Sequence, residues 1–334
     1  MTSRIGRGGP RRAPAPDPAA LPVPVPALAR PAPGSAIAVR ELVTVRDALR
    51  YACSRFGAAG LAYGHGTDNA WDEAAWLVLW SLHLPPERLE PVLDARLTTD
   101  ERSFVFELVD RRCHERVPVA YLTGEAWLRG VRFKSDARAL VPRSLIAEAM
   151  EESLDAWLPD GEPEAVLDLC TGGGSLAVLA ALRWPQARVD ASDVSAPALA
   201  LARENLALHG LEGRITLHHG DLYAPLGRRR YDLVLTNPPY VNAGSMAALP
   251  AEFRAEPASA LAGGADGMAI VARILARGAR HLSPRGLMLV EIGHEAAHFE
   301  AAFPGLEFTY VPVTAGDDQL VLVGREALER AFEP

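Results

Sequence analysis

"EAVLDLCTGGGSLAVLAALRW", residues 164–184, sets an apolar run, a glycine turn and a second apolar run end to end. The first seven residues read as a buried strand, and the ten from Ser175 as a helix. Between them, Gly172, Gly173 and Gly174 permit positive φ and let the backbone come close to a ligand. A strand, a glycine turn and a helix in that order open a doubly wound α/β fold. The downstream sequence repeats the rhythm. Residues 187–193, 214–222, 231–237 and 286–293 read as strands, and residues 196–210 and 267–282 as helices. Residues 306–313 and 318–324 close the chain as two strands with no room for a helix between them. This succession implies a mostly parallel sheet with an antiparallel end, over residues 161–330.

Upstream the pattern is helical. Residues 41–61, 70–84 and 98–117 carry apolar positions three and four apart, with Asp68 or Asn69 and Thr98 or Thr99 as candidate N-caps. They predict a small helical domain over residues 41–120. Residues 121–160 follow as a β-hairpin and a linking helix, the helix covering 144–158. Residues 1–40 are Pro, Ala and Arg with almost no acid, and read as a disordered tail. They lack a continuous apolar signal-peptide core, and their prolines oppose the amphipathic helix of a transit peptide.

The chain has 334 residues and a net charge of −8. That balance argues against a protein that coats nucleic acid. No run of eighteen apolar residues is present, so no membrane span is expected. Cys53, Cys113 and Cys170 are widely spaced. They suit a reducing cytoplasm, and exclude a disulfide framework or a CxxC metal site.

Gly172, Gly174 and Ala177 fit G-x-G-x-x-[GA], and Asp193 ends the next strand, where a carboxylate accepts from ribose hydroxyls. Taken alone, this is a dinucleotide fingerprint, and NAD fits it. S-adenosylmethionine poses a different problem, because it carries adenine, ribose and a zwitterionic amino acid but no diphosphate. Asp168 is placed for its ammonium, and Asp221, after the third strand, for its adenine. A carboxylate at each of three successive strand ends suits a donor-rich ligand better than a diphosphate.

The fourth strand ends in "TNPPYVNAG", residues 236–244. Neither Pro238 nor Pro239 can donate a ladder hydrogen bond, so the strand stops at once. Asn237 offers a carbonyl acceptor and an amide donor, and Pro238 offers only its carbonyl. Two acceptors in one stiff corner can take both hydrogens of a planar NH₂ group and aim its nitrogen at a sulfonium methyl. Tyr240 can stack on that planar group. The plain alternative, a rigid strand-ending turn, does not explain why the motif shares a sheet edge with the glycine loop.

"DLCTGGGS" together with "NPPY" resembles the class I methyltransferases that modify planar NH₂ groups, either the adenine amine of DNA or the glutamine amide of proteins. "LPAEFRAEPASALAGGADGM", residues 249–268, is similar to the glutamine branch, the HemK family. "YGHGTDNAWDEAAWLVL", "RVPVAYLTGEAWLRGVRF" and "LVPRS" resemble that family's ribosomal-protein branch. The release-factor branch typically has Pro at the position of Ser144.

The resemblance implies a Rossmann-like methyltransferase that uses S-adenosylmethionine. It would modify a glutamine of protein L-three of the large ribosomal subunit. It puts Cys170, Thr171, Gly172, Gly173, Gly174, Asp193, Leu222 and Asn237 against the methyl donor. It gives Asn237, Pro238, Pro239 and Tyr240 the glutamine amide, with Pro142 and Arg143 flanking the pocket. Gly173 departs from the Ser or Thr of many relatives. Glu291, ending the fifth strand, is left open between a structural and a functional role. A release-factor enzyme, an adenine-amine DNA methyltransferase and a nicotinamide dehydrogenase stand as alternatives. No stable nucleic-acid binding is expected.

Overall fold

The computed structural model describes residues 33–85, 88–158 and 161–332. Helix α1 (Pro33–Glu41) begins inside the stretch expected to be a tail, and Ala38 is buried against Val105 and Phe106. The helical pattern expected to run unbroken over 41–61 breaks before α2 (Val45–Ala59). Its cause is a capping box. The Thr44 hydroxyl accepts the Asp47 N–H at 3.1 Å, and the Asp47 carboxylate accepts the Thr44 N–H at 3.0 Å. Helix α3 (Ala70–Ser81) is capped by Asn69, and α5 (Thr99–Glu115) by a second box from Thr98 and Glu101, with the short α4 (Leu89–Val92) between them. Leu49, Phe56, Leu77 and Leu108 close one apolar core across these helices.

After α6 (Val119–Thr123), β1 (Glu125–Leu128) and β2 (Val131–Lys134) form the expected hairpin. Arg129 and Gly130 both take positive φ, which matches the right-handed twist of the strands. Helix α7 (Ile146–Glu152) then ends earlier than the expected linking helix and gives way to a short 3₁₀ turn at Leu154–Ala156.

The α/β unit runs β3 (Ala165–Leu169), α8 (Ser175–Arg183), β4 (Arg188–Asp193), α9 (Ala196–Leu208), β5 (Ile215–His219) and β6 (Tyr231–Thr236). A side ribbon follows, made of β7 (Val241–Asn242) and β8 (Ala262–Gly264) around α10 (Ala243–Ala248). The chain closes with α11 (Ala269–His281), β9 (Leu282–Glu291), α12 (Ala296–Ala302), β10 (Thr309–Tyr310), β11 (Leu320–Gly324) and α13 (Arg325–Phe332). Among the described residues the main sheet has seven strands, in the order β10–β11–β9–β6–β3–β4–β5. Strands β9, β6, β3, β4 and β5 are parallel, β11 pairs antiparallel with β9, and β10 antiparallel with β11, which gives the antiparallel end that the strand succession predicts. Helices α12 and α13 are additions that the strand pattern did not announce.

The sheet buries both faces, which is why its strands read as continuous apolar runs. Val166, Leu233 and Leu235 point into one core with α8, while Leu167, Leu169 and Val234 point into the other with α11. The register then fixes the site. Leu169 pairs with Ser192 and with Thr236, and Thr236 pairs with Val290. Cys170, Asp193, Asn237 and Glu291 therefore leave four neighbouring strands at one level, the carboxyl edge where open α/β sheets bind ligands.

Candidate active site

A cavity of about 200 Å³ opens at this edge. Its floor is the glycine loop. Cys170, Gly172 and Gly174 take φ of 63°, 55° and 82°, so the backbone turns sharply between β3 and α8. Asp168 sits beneath it. Its Oδ2 accepts the Thr171 hydroxyl at 2.5 Å and the Ala177 N–H at 2.9 Å, while Oδ1 is buried with no hydrogen-bond partner among the described residues. Burial pushes the Asp168 carboxyl up to about 7, against the two hydrogen bonds. An unpartnered carboxylate oxygen in a buried position fits a cationic ligand group.

Cys170, Thr171, Gly172 and Gly173 line the cavity, whereas Gly174 turns away from it. A Cβ at Gly174 would lie 3.1 Å from that of Ala202, so this glycine serves the packing of the loop on α9. Asn205 of α9, fully buried, completes the attachment. Its amide donates to the Gly173 carbonyl at 2.9 Å and its carbonyl accepts the Lys134 N–H at 2.7 Å, tying the loop to the hairpin.

Asp193 lines the same cavity and is tethered by the N–H groups of Gly172 and Ser195, both at 2.8 Å. Burial raises its carboxyl. Leu222 is held at φ 49° and its carbonyl accepts the Ser192 hydroxyl at 2.9 Å. Asp221 also lines the cavity, but its side chain is exposed and ion-paired with Arg273 of α11.

Asn237 lines both the main cavity and a smaller one of about 160 Å³. Pro239 faces the larger, and Pro238 and Tyr240 the smaller. Tyr240 is seated by glycines. A Cβ at Gly263 would come within 2.7 Å of the Tyr240 backbone, at Gly267 within 2.2 Å of its carbonyl oxygen, and at Gly293 within 2.6 Å of its ring. Its hydroxyl donates to Glu291 at 3.3 Å. Glu291 also accepts the Ser144 hydroxyl at 2.5 Å and the Leu145 N–H at 3.0 Å. The open question about Glu291 is thus answered in part: it bridges the tyrosine to the segment leading from the hairpin, and burial raises its carboxyl.

That segment, residues 138–144, forms a strap along both cavities, with Pro142 on the larger and Arg143 on both. Tyr121 donates to the Ala139 carbonyl at 2.6 Å, and Glu256 accepts the Val141 N–H at 3.0 Å. Glu256 also takes a bidentate pair from Arg143 at 2.5 and 2.6 Å. Burial would raise the Glu256 carboxyl, but the contacts of His65 and Arg143 hold it down at about 2.

Every candidate donor- or substrate-site residue lines one of the two cavities except Gly174, which supports the loop from behind, and Ala177 of the glycine pattern lines neither. Glu256, Ser144, Gly263, Gly267 and Gly293 were not assigned roles. Gly263, Gly267 and Glu256 stand in the quoted stretch 249–268, where a glycine run and a Glu-Pro pair are the only visible signals.

Residues 146–272 match the family described as Methyltransferase small domain, and residues 47–124 match the PrmC N-terminal domain. The chain is 56% identical over 290 residues to the ribosomal protein uL3 glutamine methyltransferase of Bordetella pertussis, covering 86% of this chain and 97% of that one. It is 56% identical to the enzyme of the same name from Burkholderia pseudomallei, over 84% of this chain and 94% of the relative. To that of Neisseria gonorrhoeae it is 47% identical, over 87% and 97%. A glycine loop, a carboxylate-lined cavity and an Asn-Pro-Pro-Tyr corner at one sheet edge agree with that kinship, and the chain is an enzyme of the ribosomal protein uL3 glutamine methyltransferase family.

Proposed function

We propose that this enzyme uses S-adenosylmethionine to methylate the side-chain amide nitrogen of a glutamine in ribosomal protein uL3. The observation that carries the reading is the register: Asn237 leaves β6 level with the glycine loop of β3 and with Asp193 of β4. A target amide at Asn237 therefore lies beside whatever the main cavity holds.

The donor, when bound, supplies an electrophilic methyl on a sulfonium. Asp168 would hold its ammonium through the unpartnered Oδ1, and Asp193 its ribose hydroxyls. The backbone of residues 170–174 would line the donor closely, with Leu222 and Asp221 on the adenine side. On the other side, Asn237 and Pro238 accept the two amide hydrogens with their oxygens, which fixes the plane and direction of the nitrogen. An amide nitrogen is a poor nucleophile because its lone pair is delocalised, so orientation and exclusion of water carry much of the catalysis. Tyr240, locked between glycines and Glu291, forms a fixed wall for that planar group. Pro239, Pro142 and Arg143 flank it. A bond forms between the amide nitrogen and the methyl as the bond from the methyl to sulfur breaks, and the nitrogen gives up one of its two protons to solvent.

The pocket alone does not tell one protein glutamine from another. The helical domain is the surface that selects, and its relatives' name points to uL3 as the protein it reads. An enzyme that modifies a ribosomal protein would work in the cytoplasm. Among the described residues no helix is long and apolar enough to cross a membrane.

The test offers radiolabelled donor with unmethylated uL3, a release factor and adenine-containing DNA in parallel. Label in uL3 is expected. Label in the release factor or in DNA, with none in uL3, would overturn the substrate assignment. Calorimetry with S-adenosylmethionine against NAD checks the donor independently.

A further inference from the structure

Residues 252–256 join two parts of the molecule that are far apart in sequence. On one side they meet the helical domain. Glu252, 1% exposed, accepts the Ala62 N–H at 3.2 Å and pairs with Arg116 at 3.0 Å and Arg112 at 3.5 Å. Arg112, itself fully buried, is fixed by Glu73 at 2.6 Å and by the Ala62 carbonyl at 3.0 Å. The Phe253 ring lies 4.3 Å from that of His65. On the other side the same segment meets the strap. The Arg143 guanidinium sits 5.5 Å from the Phe253 ring centre and is forked onto Glu256, which also accepts the Val141 N–H. His65 Nε2 lies 3.4 Å from Glu256 Oε2, an ion-pair distance without hydrogen-bond alignment.

Arg143 lines both cavities, and Pro257 and Ala260, just beyond the segment, line the larger. Neither Glu252 nor Arg116 lines either cavity. A carboxylate buried with two arginines is a weak source of net stability, since the pair is desolvated along with it. A buried, hydrogen-bonded charge network does fix geometry.

We propose that residues 252–256 are a positioning element through which the helical domain sets Arg143 and Val141 over the target cavity, with Glu252 as its anchor. The inference rests on the methyl-transfer reading for its activity arm but not for its structural arm. The helical domain then does two things: it recognises the protein substrate, and it completes the pocket that receives the glutamine.

Glu252→Gln keeps the shape and the Ala62 contact and removes the charge. The expected result is a kcat about tenfold lower, with KM for uL3 and the donor Kd each within about twofold of the parent. In the same variant, hydrogen exchange at residues 139–144 is expected to quicken about tenfold, because the Val141 N–H depends on Glu256. Arg116→Met, at a half-exposed side chain, repeats the test if the first variant does not fold, and Arg116→Lys should restore most of the parent behaviour. A lower melting temperature with unchanged kcat and unchanged exchange at 139–144 would reduce the network to an ordinary domain contact and overturn the proposal. So would a raised KM at constant kcat, which marks a docking surface. If the parent enzyme itself does not methylate uL3, the substrate assignment fails, and the exchange measurement still decides the positioning claim.

Discussion

Asp168, near the end of β3, and Asn237, just past the end of the adjacent β6, solve opposite problems. Asp168 keeps one oxygen buried and unpartnered, so its carboxyl rises to about 7 from an ordinary 3.8. The sign follows from linkage. A folded-state value above the unfolded one favours the fold below about pH 4, and this contribution is lost as pH rises through 7. A cationic donor prefers the deprotonated form, so donor affinity should rise about tenfold between about pH 5.5 and pH 7. Calorimetry at those two values checks it, and a flat profile would remove Asp168 from the donor site. Asn237 should behave differently. Asn237→Ala is expected to keep donor affinity and lose turnover by a factor on the order of 10²–10³, by analogy with removal of one orienting group at a reacting centre. Single-turnover rates within about tenfold of the parent would reassign it. Both positions were legible because each lies within two residues of the end of an apolar strand, beside a turn that only special residues permit. The ion pair that engages Asp221 was not, because Arg273 comes from a helix about fifty residues later.

At the level of elements, the double proline explains where β6 stops but not what holds the corner still. That work falls to Gly263, in the ribbon of β7 and β8, and to Gly267, in the turn between β8 and α11, which both press against the Tyr240 backbone. A methyl at residue 267 would meet the Tyr240 carbonyl at 2.2 Å, and the residue's φ of 83° disfavours any side chain. Gly267→Ala should therefore displace Tyr240 and cut kcat by at least about tenfold, while the main sheet stays folded. Circular dichroism and donor binding should be unchanged, and a fully active variant would show that the seat of Tyr240 is not critical. The ribbon was invisible in the sequence because its strands are two and three residues long and carry no alternation. The break between α1 and α2 was visible in retrospect, as Thr44 and Asp47 spell a capping box within a pattern that is otherwise continuously helical. Helix α1 was masked by the proline- and alanine-rich composition that precedes it, and only the burial of Ala38 against α5 reveals its role.

On the scale of the whole molecule, the sequence carries the order of strands and helices, and hence the parallel sheet with its antiparallel end, because each strand is a separate apolar run. It does not carry the contacts between the helical domain and the pocket. Those depend on Glu252, Glu256, Arg112 and Arg143, charged residues that in a sequence read as solvated surface. Delivery of a methyl group to a glutamine amide of uL3 is tested by tandem mass spectrometry of uL3 after reaction with the purified enzyme and isotopically labelled donor. Fragment ions are expected to place a single labelled methyl on the side-chain nitrogen of one glutamine, absent when Asn237→Ala replaces the parent enzyme. Label confined to a lysine, an arginine or the amino terminus of uL3, or no label in uL3 at all, would contradict it.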